Sequence, residues 1–439
     1  MSKKCTVAIV GRPNVGKSSF FNKICGRRIS IVKDTPGVTR DRIYADVEWC
    51  GHNFALIDTG GIELKSQDTM YMHIREQAEV AIDVADVILF FVDGKDGLVA
   101  SDFDIADILR VAKKPVLLVV NKLDRFNIED TYDFYQLGLG EPHPISCEQA
   151  LGLGDLLDEI VKNFPERNDE ESDAGLKIAL VGRPNVGKSS LVNKILGFKR
   201  VIVADVAGTT RDAIDTPFTY NDTQYTLIDT AGMRRKRAIE DETVEDYSVM
   251  RTISAIDRAD VVITVFDSSE PLTEQDIRIA GYVHEQGKPN LILLNKWDKV
   301  EKDTYTADEY LKNLKSKLVF MDYAQFIFVS ALTGTRVDRI LPLVDRVYLN
   351  GTQKISTGVL NEVIGEAVAT TEPPTSSGRR LKVLYTSQTG IQPPEFTIFV
   401  NNAELMHFSY ERYLENCLRR AFDFSGTPIR LVFKSKQEK

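Results

Sequence analysis

The chain is short of most features that mark a secreted, membrane-bound or RNA-coating protein. Its 439 residues include five cysteines, Cys5, Cys25, Cys50, Cys147 and Cys417, scattered and without a Cys-x-x-Cys pair. That argues against a disulfide framework or a zinc cluster and fits a reducing compartment. Long apolar runs are missing. Stretches such as Val87–Val92 and Val116–Val120 fall far below the roughly 20 residues that cross a bilayer, so no membrane span is expected. The first residues, Met-Ser-Lys-Lys-Cys, lead straight into a short strand-like run, Thr6–Val10. They lack the longer apolar core and cleavage site of a signal peptide, and a cytoplasmic location is expected. An excess of positive charge is absent too: 55 Lys and Arg stand against 64 Asp and Glu, a net charge of −9. Any contact with RNA must therefore come from a local patch.

What remains is ordinary globular composition, 43% hydrophobic and 27% charged, at a length that predicts two to four domains. A repeat organises it. GRPNVGKSS occurs at Gly11–Ser19 and again at Gly182–Ser190, an offset of 171 (182 − 11). Thr39-Arg40-Asp41 and Asp58-Thr59-Gly60-Gly61 recur at the same offset as Thr210-Arg211-Asp212 and Asp229-Thr230-Ala231-Gly232. Asn121-Lys122-Leu123-Asp124 recurs as Asn295-Lys296-Trp297-Asp298 at 174, and Ser146 as Ser330 at 184. A register that holds and then drifts is the mark of a duplicated domain with loop insertions.

Within the first copy, Thr6–Val10, Phe54–Asp58, Val87–Asp93, Val116–Asn121 and Pro144–Ser146 read as strands, with helices at Ser101–Ala112 and Gly154–Asn163. Alternating strands and helices predict an α/β fold with a doubly wound, mostly parallel sheet in each copy. The expected division is residues 1–165, a polar and acidic linker at 166–175, a second copy at 176–350, and a small α+β domain at 351–439. In that last part Ser356–Ala369 and Tyr410–Asp423 read as helices, and Leu381–Thr386, Phe396–Val400 and Ile429–Phe433 as strands. Thr370–Arg380, with Pro373-Pro374 and Gly378, reads as a loop.

The repeated Gly-x-x-x-x-Gly-Lys-Ser, after a strand and before a helix, is a phosphate-binding loop. Gly11, Arg12, Pro13, Asn14, Val15 and Gly16, and Gly182, Arg183, Pro184, Asn185, Val186 and Gly187, would present backbone N–H groups to phosphate at a helix N-terminus. Lys17 and Lys188 would reach the β- and γ-phosphates. Ser18, Asp58 and Thr39 in one copy, and Ser189, Asp229 and Thr210 in the other, are placed to hold Mg²⁺. Gly61 and Gly232 would offer N–H to the γ-phosphate, within the segments Asp58–Ile62 and Asp229–Met233 that run through Thr59, Gly60 and Thr230, Ala231. Thr39 and Thr210 sit in polar loops able to close on a triphosphate and release a diphosphate. An unremarkable loop threonine would look the same.

The base is chosen elsewhere. After apolar strands stand Asn121, Lys122, Leu123, Asp124 and their counterparts Asn295, Lys296, Trp297, Asp298. A carboxylate at Asp124 or Asp298 can accept both the ring N1–H and the exocyclic amine of guanine, donors that adenine does not present there. An unmatched base would leave it unpaired. Ser146 and Ser330 begin loops whose N–H groups can reach the guanine oxygen. Two GTP or GDP sites are therefore expected.

This ordered set resembles the translation-factor-type GTPases. Two such domains before a small C-terminal module resemble the Der/EngA family, essentially over the whole chain. Pro393-Pro394-x-Phe396, Phe399-Val400-Asn401, Ser409-Tyr410-x-Arg412-Tyr413-Leu414 and Gly426-Thr427-Pro428-Ile429-Arg430 resemble that family's C-terminal signature. The motifs imply GTP hydrolysis, and the resemblance implies a KH-like third domain and a role in biogenesis of the large ribosomal subunit through contacts with its rRNA and proteins; a monomer without a membrane is expected. Ile62 and Met233 occupy the place of the glutamine that orients water in Ras-like proteins, so unaided turnover should be slow. The resemblance implies K⁺ held with help from Asn14 and Asn185, supplying positive charge near the phosphates. A purely turn-forming asparagine is the plainer alternative. The catalytic candidates are then Asn14, Lys17, Thr39, Gly61, Asn185, Lys188, Thr210 and Gly232.

No Gly-x-x-Gly clamp occurs in residues 351–439, so the ordinary KH clamp on RNA is not expected; the family resembled lacks that loop as well. Arg412, Arg419 and Arg420 fall on one helix face, and Arg379-Arg380 and Arg234-Arg235-Lys236-Arg237 are further basic candidates, with solvated charge as the alternative. A nucleotide-regulated binding module with little turnover, and a tRNA-modification or membrane-associated GTPase, are the competing functions.

Overall fold

The computed structural model describes residues 5–25, 44–59, 78–79, 81–124, 128–165, 175–198, 201–203, 215–228, 245–301, 306–373, 375–376 and 379–435. The chain divides into two compact units, one of residues 2–170 with 241–254, the other of residues 171–240 with 255–439.

In the first unit β1 (Cys5–Val10), β2 (Tyr44–Trp49), β3 (His52–Asp58), β4 (Val87–Asp93), β5 (Val116–Asn121) and β6 (Pro142–Pro144) form one sheet in the order β2-β3-β1-β4-β5-β6. β2 runs antiparallel to β3, and the other pairings are parallel. The apolar run of β4 is buried along its whole length because layers pack on both faces of a parallel sheet. Each such side chain contributes about 1.5–3 kcal/mol of burial. One layer joins Val7, Ile9, Phe20, Leu89, Phe91 and Leu156; the other joins Ala8, Val10, Phe90, Ile105 and Leu118. The chain leaves β1 toward β3 on one side and continues to β4 on the other. The C-terminal ends of β1 and β4 thus flank a topological switch point, where such sheets open a crevice.

The second unit repeats the plan with β7 (Leu176–Val181), β8 (Val201–Val203), β9 (Thr216–Tyr220), β10 (Thr223–Ile228), β11 (Val261–Asp267), β12 (Asn290–Asn295) and β13 (Gln325–Phe328), ordered β13-β12-β11-β7-β10-β9-β8. After a helix at Thr357–Thr370, the two-residue strands β14 (Thr375–Ser376) and β15 (Arg379–Arg380) pair inside the segment expected to be a loop. A three-stranded sheet follows: β16 (Val383–Ile391), β17 (Pro394–Val400) and, beyond the helix Phe408–Ala421, β18 (Arg430–Ser435). β17 pairs antiparallel with β16 and parallel with β18. Phe396, Ile398, Val400, Leu360, Ile364, Leu414 and Leu418 form its core. The fold is thus the expected α/β pair with a KH-like α+β layer. No helix among the described residues is long and apolar enough to cross a membrane.

Two local readings need correction. Pro144–Ser146 was expected as a strand, yet β6 ends at Pro144. Ser146 instead bridges to Leu151 and turns its hydroxyl to Asp124, 3.3 Å away. On the helix Phe408–Ala421, Arg419 does not join Arg412 and Arg420 on an open face. It is only 15% exposed, bonds Glu415 at 2.9 Å, donates to the Thr427 carbonyl at 3.1 Å, and lies over the Tyr323 ring, 5.0 Å from its centroid. Arg412 and Arg420 are exposed, while Arg380 is paired with Glu372 at 2.8 Å. The Arg419–Tyr323 contact belongs to a seam inside the second unit. There the Asn290 N–H donates to the Gly426 carbonyl and the Gly426 N–H to the Tyr323 carbonyl, both at 2.7 Å.

Candidate functional site

The loops of both copies follow the C-terminal ends of β1 and β7, and their geometries match. Lys17 is buried, its Nζ donating to the carbonyls of Gly11 at 2.6 Å and Arg12 at 2.8 Å. Lys188 does the same with Gly182 and Arg183, at 2.6 and 2.8 Å. Burial, opposed by the nearby Asp58 carboxylate and reinforced by Arg12, brings the Lys17 ammonium down to about 8. Asn14 and Asn185 are exposed, with left-handed backbones at φ 67° and 64°, a conformation asparagine tolerates.

The Ser18 hydroxyl donates to Asp58 Oδ2 at 2.8 Å. These are two hard oxygens side by side, the donor type that Mg²⁺ takes. Asp58 is buried at the end of β3. Thr59 is buried next to it, its hydroxyl on the Ile9 carbonyl at 2.5 Å. Thr39, Gly60, Gly61, Ile62, Thr210, Asp229, Thr230, Ala231, Gly232 and Met233 lie outside the described residues, as do Arg234–Arg237 and most of the acidic linker.

The base-side loops close on the phosphate-side loops through one amide in each copy. Asn121 Nδ2 donates to the Val15 carbonyl at 2.8 Å, and its Oδ1 accepts from the Cys147 N–H at 3.0 Å. Asn295 repeats both bonds with Val186 and Ala331, at 2.8 and 3.0 Å. Since the bond at position 147 comes from the backbone, cysteine serves as well as alanine there. Burial pushes the Cys147 thiol up to about 12, which keeps it protonated. Lys122 and Lys296 adopt left-handed backbones, with Leu123 and Trp297 buried beside them.

The two carboxylates expected to select the base differ in their partners. Asp298 accepts from the Ser330 hydroxyl at 2.5 Å. Asp124 accepts from Ser146 at 3.3 Å and also from the Lys95 ammonium at 2.7 Å. Lys95 and its hydrogen bond, with a smaller contribution from Ser146, hold the Asp124 carboxyl below its ordinary value. Ser269 stands at the position equivalent to Lys95, at the same offset of 174 (269 − 95).

Four acidic residues of the site escaped sequence reasoning. Buried Asp93 and Asp267 end β4 and β11 and pair with Lys122 and Lys296, each at 2.5 Å. Desolvation works against the Asp93 charge, but Lys122 and the Lys95 and Asp96 N–H groups outweigh it and hold the carboxyl low. Buried Asp102 and Asp276 face the phosphate-loop arginines, Arg12 at 3.5 Å and Arg183 at 3.3 Å. Burial raises the Asp102 carboxyl above its ordinary value. Asp276 also closes a capping box with Thr273 at the start of the helix Glu274–Glu285. At that helix's far end the His284 ring stacks on Tyr323, the ring that Arg419 overlies, and the Glu285 carbonyl accepts from Arg430. All four acids recur at the offset of 174 shared by the Asn-Lys-x-Asp blocks, which is the signal that would have found them.

The comparisons with known proteins agree with this geometry. Residues 6–122 and 177–296 match the family described as "50S ribosome-binding GTPase". Residues 354–434 match "KH-domain-like of EngA bacterial GTPase enzymes, C-terminal". The chain is similar to the GTPase Der of Agathobacter rectalis, 55% identical over 98% of both chains. It is similar to that of Lachnospira eligens, 54% identical over 99% of both, and to that of Clostridium tetani, 55% identical over 99% of this chain and 100% of the other.

Proposed function

The chain belongs to the Der, or EngA, family of GTPases and hydrolyses GTP, and from that premise we propose that it is a nucleotide-gated switch in assembly of the large ribosomal subunit, acting as a monomer. The observation that carries this reading is the match of both GTPase regions to a family described as binding the 50S ribosome, together with two phosphate loops of the same geometry. Membership of a GTPase family disfavours the alternative of a binding module with little turnover.

In each site the loop N–H groups and Lys17 or Lys188 would bind the phosphates, and Asp124 or Asp298 would select guanine. Ser18, Asp58 and Thr39 would hold Mg²⁺ in the first site, and Ser189, Asp229 and Thr210 in the second. The adjacent Ser18 and Asp58 oxygens fit that ion. The exposed amides of Asn14 and Asn185 fit K⁺. When bound, both ions supply positive charge against the negative charge that builds on the phosphates. Gly61 and Gly232 would donate N–H to the γ-phosphate. With Ile62 and Met233 in place of a glutamine, no side chain there can orient the attacking water, and turnover should be severalfold faster in K⁺ than in Na⁺. Equal rates in matched salts would remove the ion from the scheme.

Phosphate binding should also restore the charge on Lys17. Its value in the free loop is about 8, and a bound diphosphate raises it. Affinity at the first site is then full below about pH 8 and falls as pH rises through it, by up to about tenfold per unit. Calorimetry with GDP from pH 7 to 9 on a Lys188→Ala chain, where the first site dominates, checks this; a flat profile is the contrary result.

The switch itself is tested by co-sedimentation with purified subunits in K⁺ buffer, with GDP or a non-hydrolysable GTP analogue. Analogue-dependent pelleting with the large subunit is expected. No binding in either nucleotide state would remove the ribosome and leave the GTPase standing.

A further inference from the structure

The open face of the sheet β16-β17-β18 carries chemistry that no motif accounts for. Along β17 the side chains alternate. Phe396, Ile398 and Val400 enter the core against the helices Thr357–Thr370 and Phe408–Ala421; Thr397, buried with its hydroxyl 3.0 Å from that of Thr389, and half-buried Phe399 point to the other face. Register places Tyr385 of β16 and Lys434 of β18 on either side of Phe399. The Tyr385 and Phe399 rings lie nearly parallel, 12° apart with centroids 4.2 Å apart. Tyr385 is 49% exposed, and Leu384 beside it, at an irregularity in the register, is 47% exposed. Lys434 is exposed, as is Lys382 at the start of β16. Neither ring belongs to the apolar core of this layer.

A stacked pair of this kind stabilises its own strands. That role gives no reason for the exposed ammonium group of Lys434 beside Phe399. Phe399 covers one face of the Tyr385 ring; the other face, with Lys434 across the pair, matches an unpaired base on a phosphate backbone, since a ring stacks on any base and a lysine neutralises phosphate. A purely apolar protein partner would gain from the rings but would have to desolvate Lys434 without a partner charge.

We propose that this open sheet face, centred on Tyr385 and Phe399 and bordered by Lys434, binds single-stranded RNA by stacking. The proposal rests on the reading of the chain as ribosome-associated and adds to it a surface and a ligand class. The surface is the sheet face turned away from the two helices, and binding there would need no Gly-x-x-Gly loop.

The test uses the full chain and a fluorescein-labelled ten-nucleotide oligouridylate, read by anisotropy, with large-subunit co-sedimentation alongside. Wild-type binding should weaken about tenfold or more in Tyr385→Ala. It should stay within about twofold in Tyr385→Phe, which keeps the ring, and fall in Lys434→Ala and with added salt. Phe399→Leu keeps apolar bulk in the sheet while removing the ring, and should behave like Tyr385→Ala. A wild-type chain that does not bind the oligonucleotide, or variants that bind it equally well, would overturn the platform even if subunits still pellet the protein. Ring-dependent oligonucleotide binding without subunit binding would sustain the platform and overturn the ribosomal reading instead. A photo-cross-linker at position 385 that captures only ribosomal protein would replace RNA by a protein partner.

Discussion

Asp298→Asn is expected to lower GTP affinity at the second site by about a thousandfold or more, and to transfer that site's preference to xanthine nucleotides. In the proposed site the carboxylate would accept from both the N1–H and the exocyclic amine of guanine. An asparagine amide can accept only one of these, and its own NH₂ then faces the guanine amine, leaving two donors unpaired in a closed pocket. Sites built around such hydrogen bonds reject a mismatched partner by about 10⁴–10⁵. Xanthine carries an oxygen where guanine carries the amine, and so repairs the pair. Titration with fluorescent GDP and XDP analogues distinguishes the outcomes. Retention of GDP binding within tenfold of wild type would show that Asp298 does not face the base. Asp124→Asn should lose less from its starting point, because in the wild type the base must first displace Lys95 from Asp124. Lys95→Ser, which copies the second site, should accordingly tighten GDP at the first.

Gly187→Ala is expected to destabilise the second unit by about 3 kcal/mol or more and to remove nucleotide binding there. Gly187 has φ 98°, and a Cβ built on it would come within 2.3 Å of Asn295 Nδ2. The left-handed backbone alone costs about 1–2 kcal/mol for an L side chain. The amide must also move, which breaks its bonds to Val186 and Ala331 and exposes buried polar groups to a penalty of about 1–3 kcal/mol each. Gly16→Ala should do the same in the first unit, where the distance to Asn121 Nδ2 is 2.1 Å. Gly365, in the interior of the helix Thr357–Thr370, meets nothing within 4 Å, so Gly365→Ala should stabilise by about 0.5–1 kcal/mol and serves as the control. Thermal unfolding with and without GDP reads both effects. A Gly187→Ala protein that unfolds and binds like wild type would mean that the amide has room to move.

The fold was legible because the sequence states it twice. Strands such as β4 and β5 are unbroken apolar runs up to their last residue, and the blocks that end or follow them recur at fixed offsets. Asp93, Asp102, Asp267 and Asp276 were harder to see: an aspartate at a strand end or in the first turn of a helix is common, and only its recurrence sets it apart. Arg419 was misjudged for a different reason. Helical periodicity shows which residues share a face of one helix, but Tyr323, which fills the space over Arg419, comes from a segment about a hundred residues earlier in the chain. The same limit hid the stacking of Tyr385 on Phe399, since cross-strand register appears only once the strands are paired.

The helix Glu274–Glu285 acts, in mechanical terms, as a strut. Its near end is braced by Asp276 against Arg183 of the phosphate loop, and its far end bears on the C-terminal layer through His284, Tyr323 and the Glu285 carbonyl. Twelve residues give it a length of about 18 Å, and a helix this short hardly bends. The one helix therefore spans the distance from the phosphate loop to the C-terminal layer. In the first unit the helix Ala100–Arg110 carries the same brace at its near end, Asp102 against Arg12. Within the second unit that brace and the layer carrying the stacked rings thus share one helix.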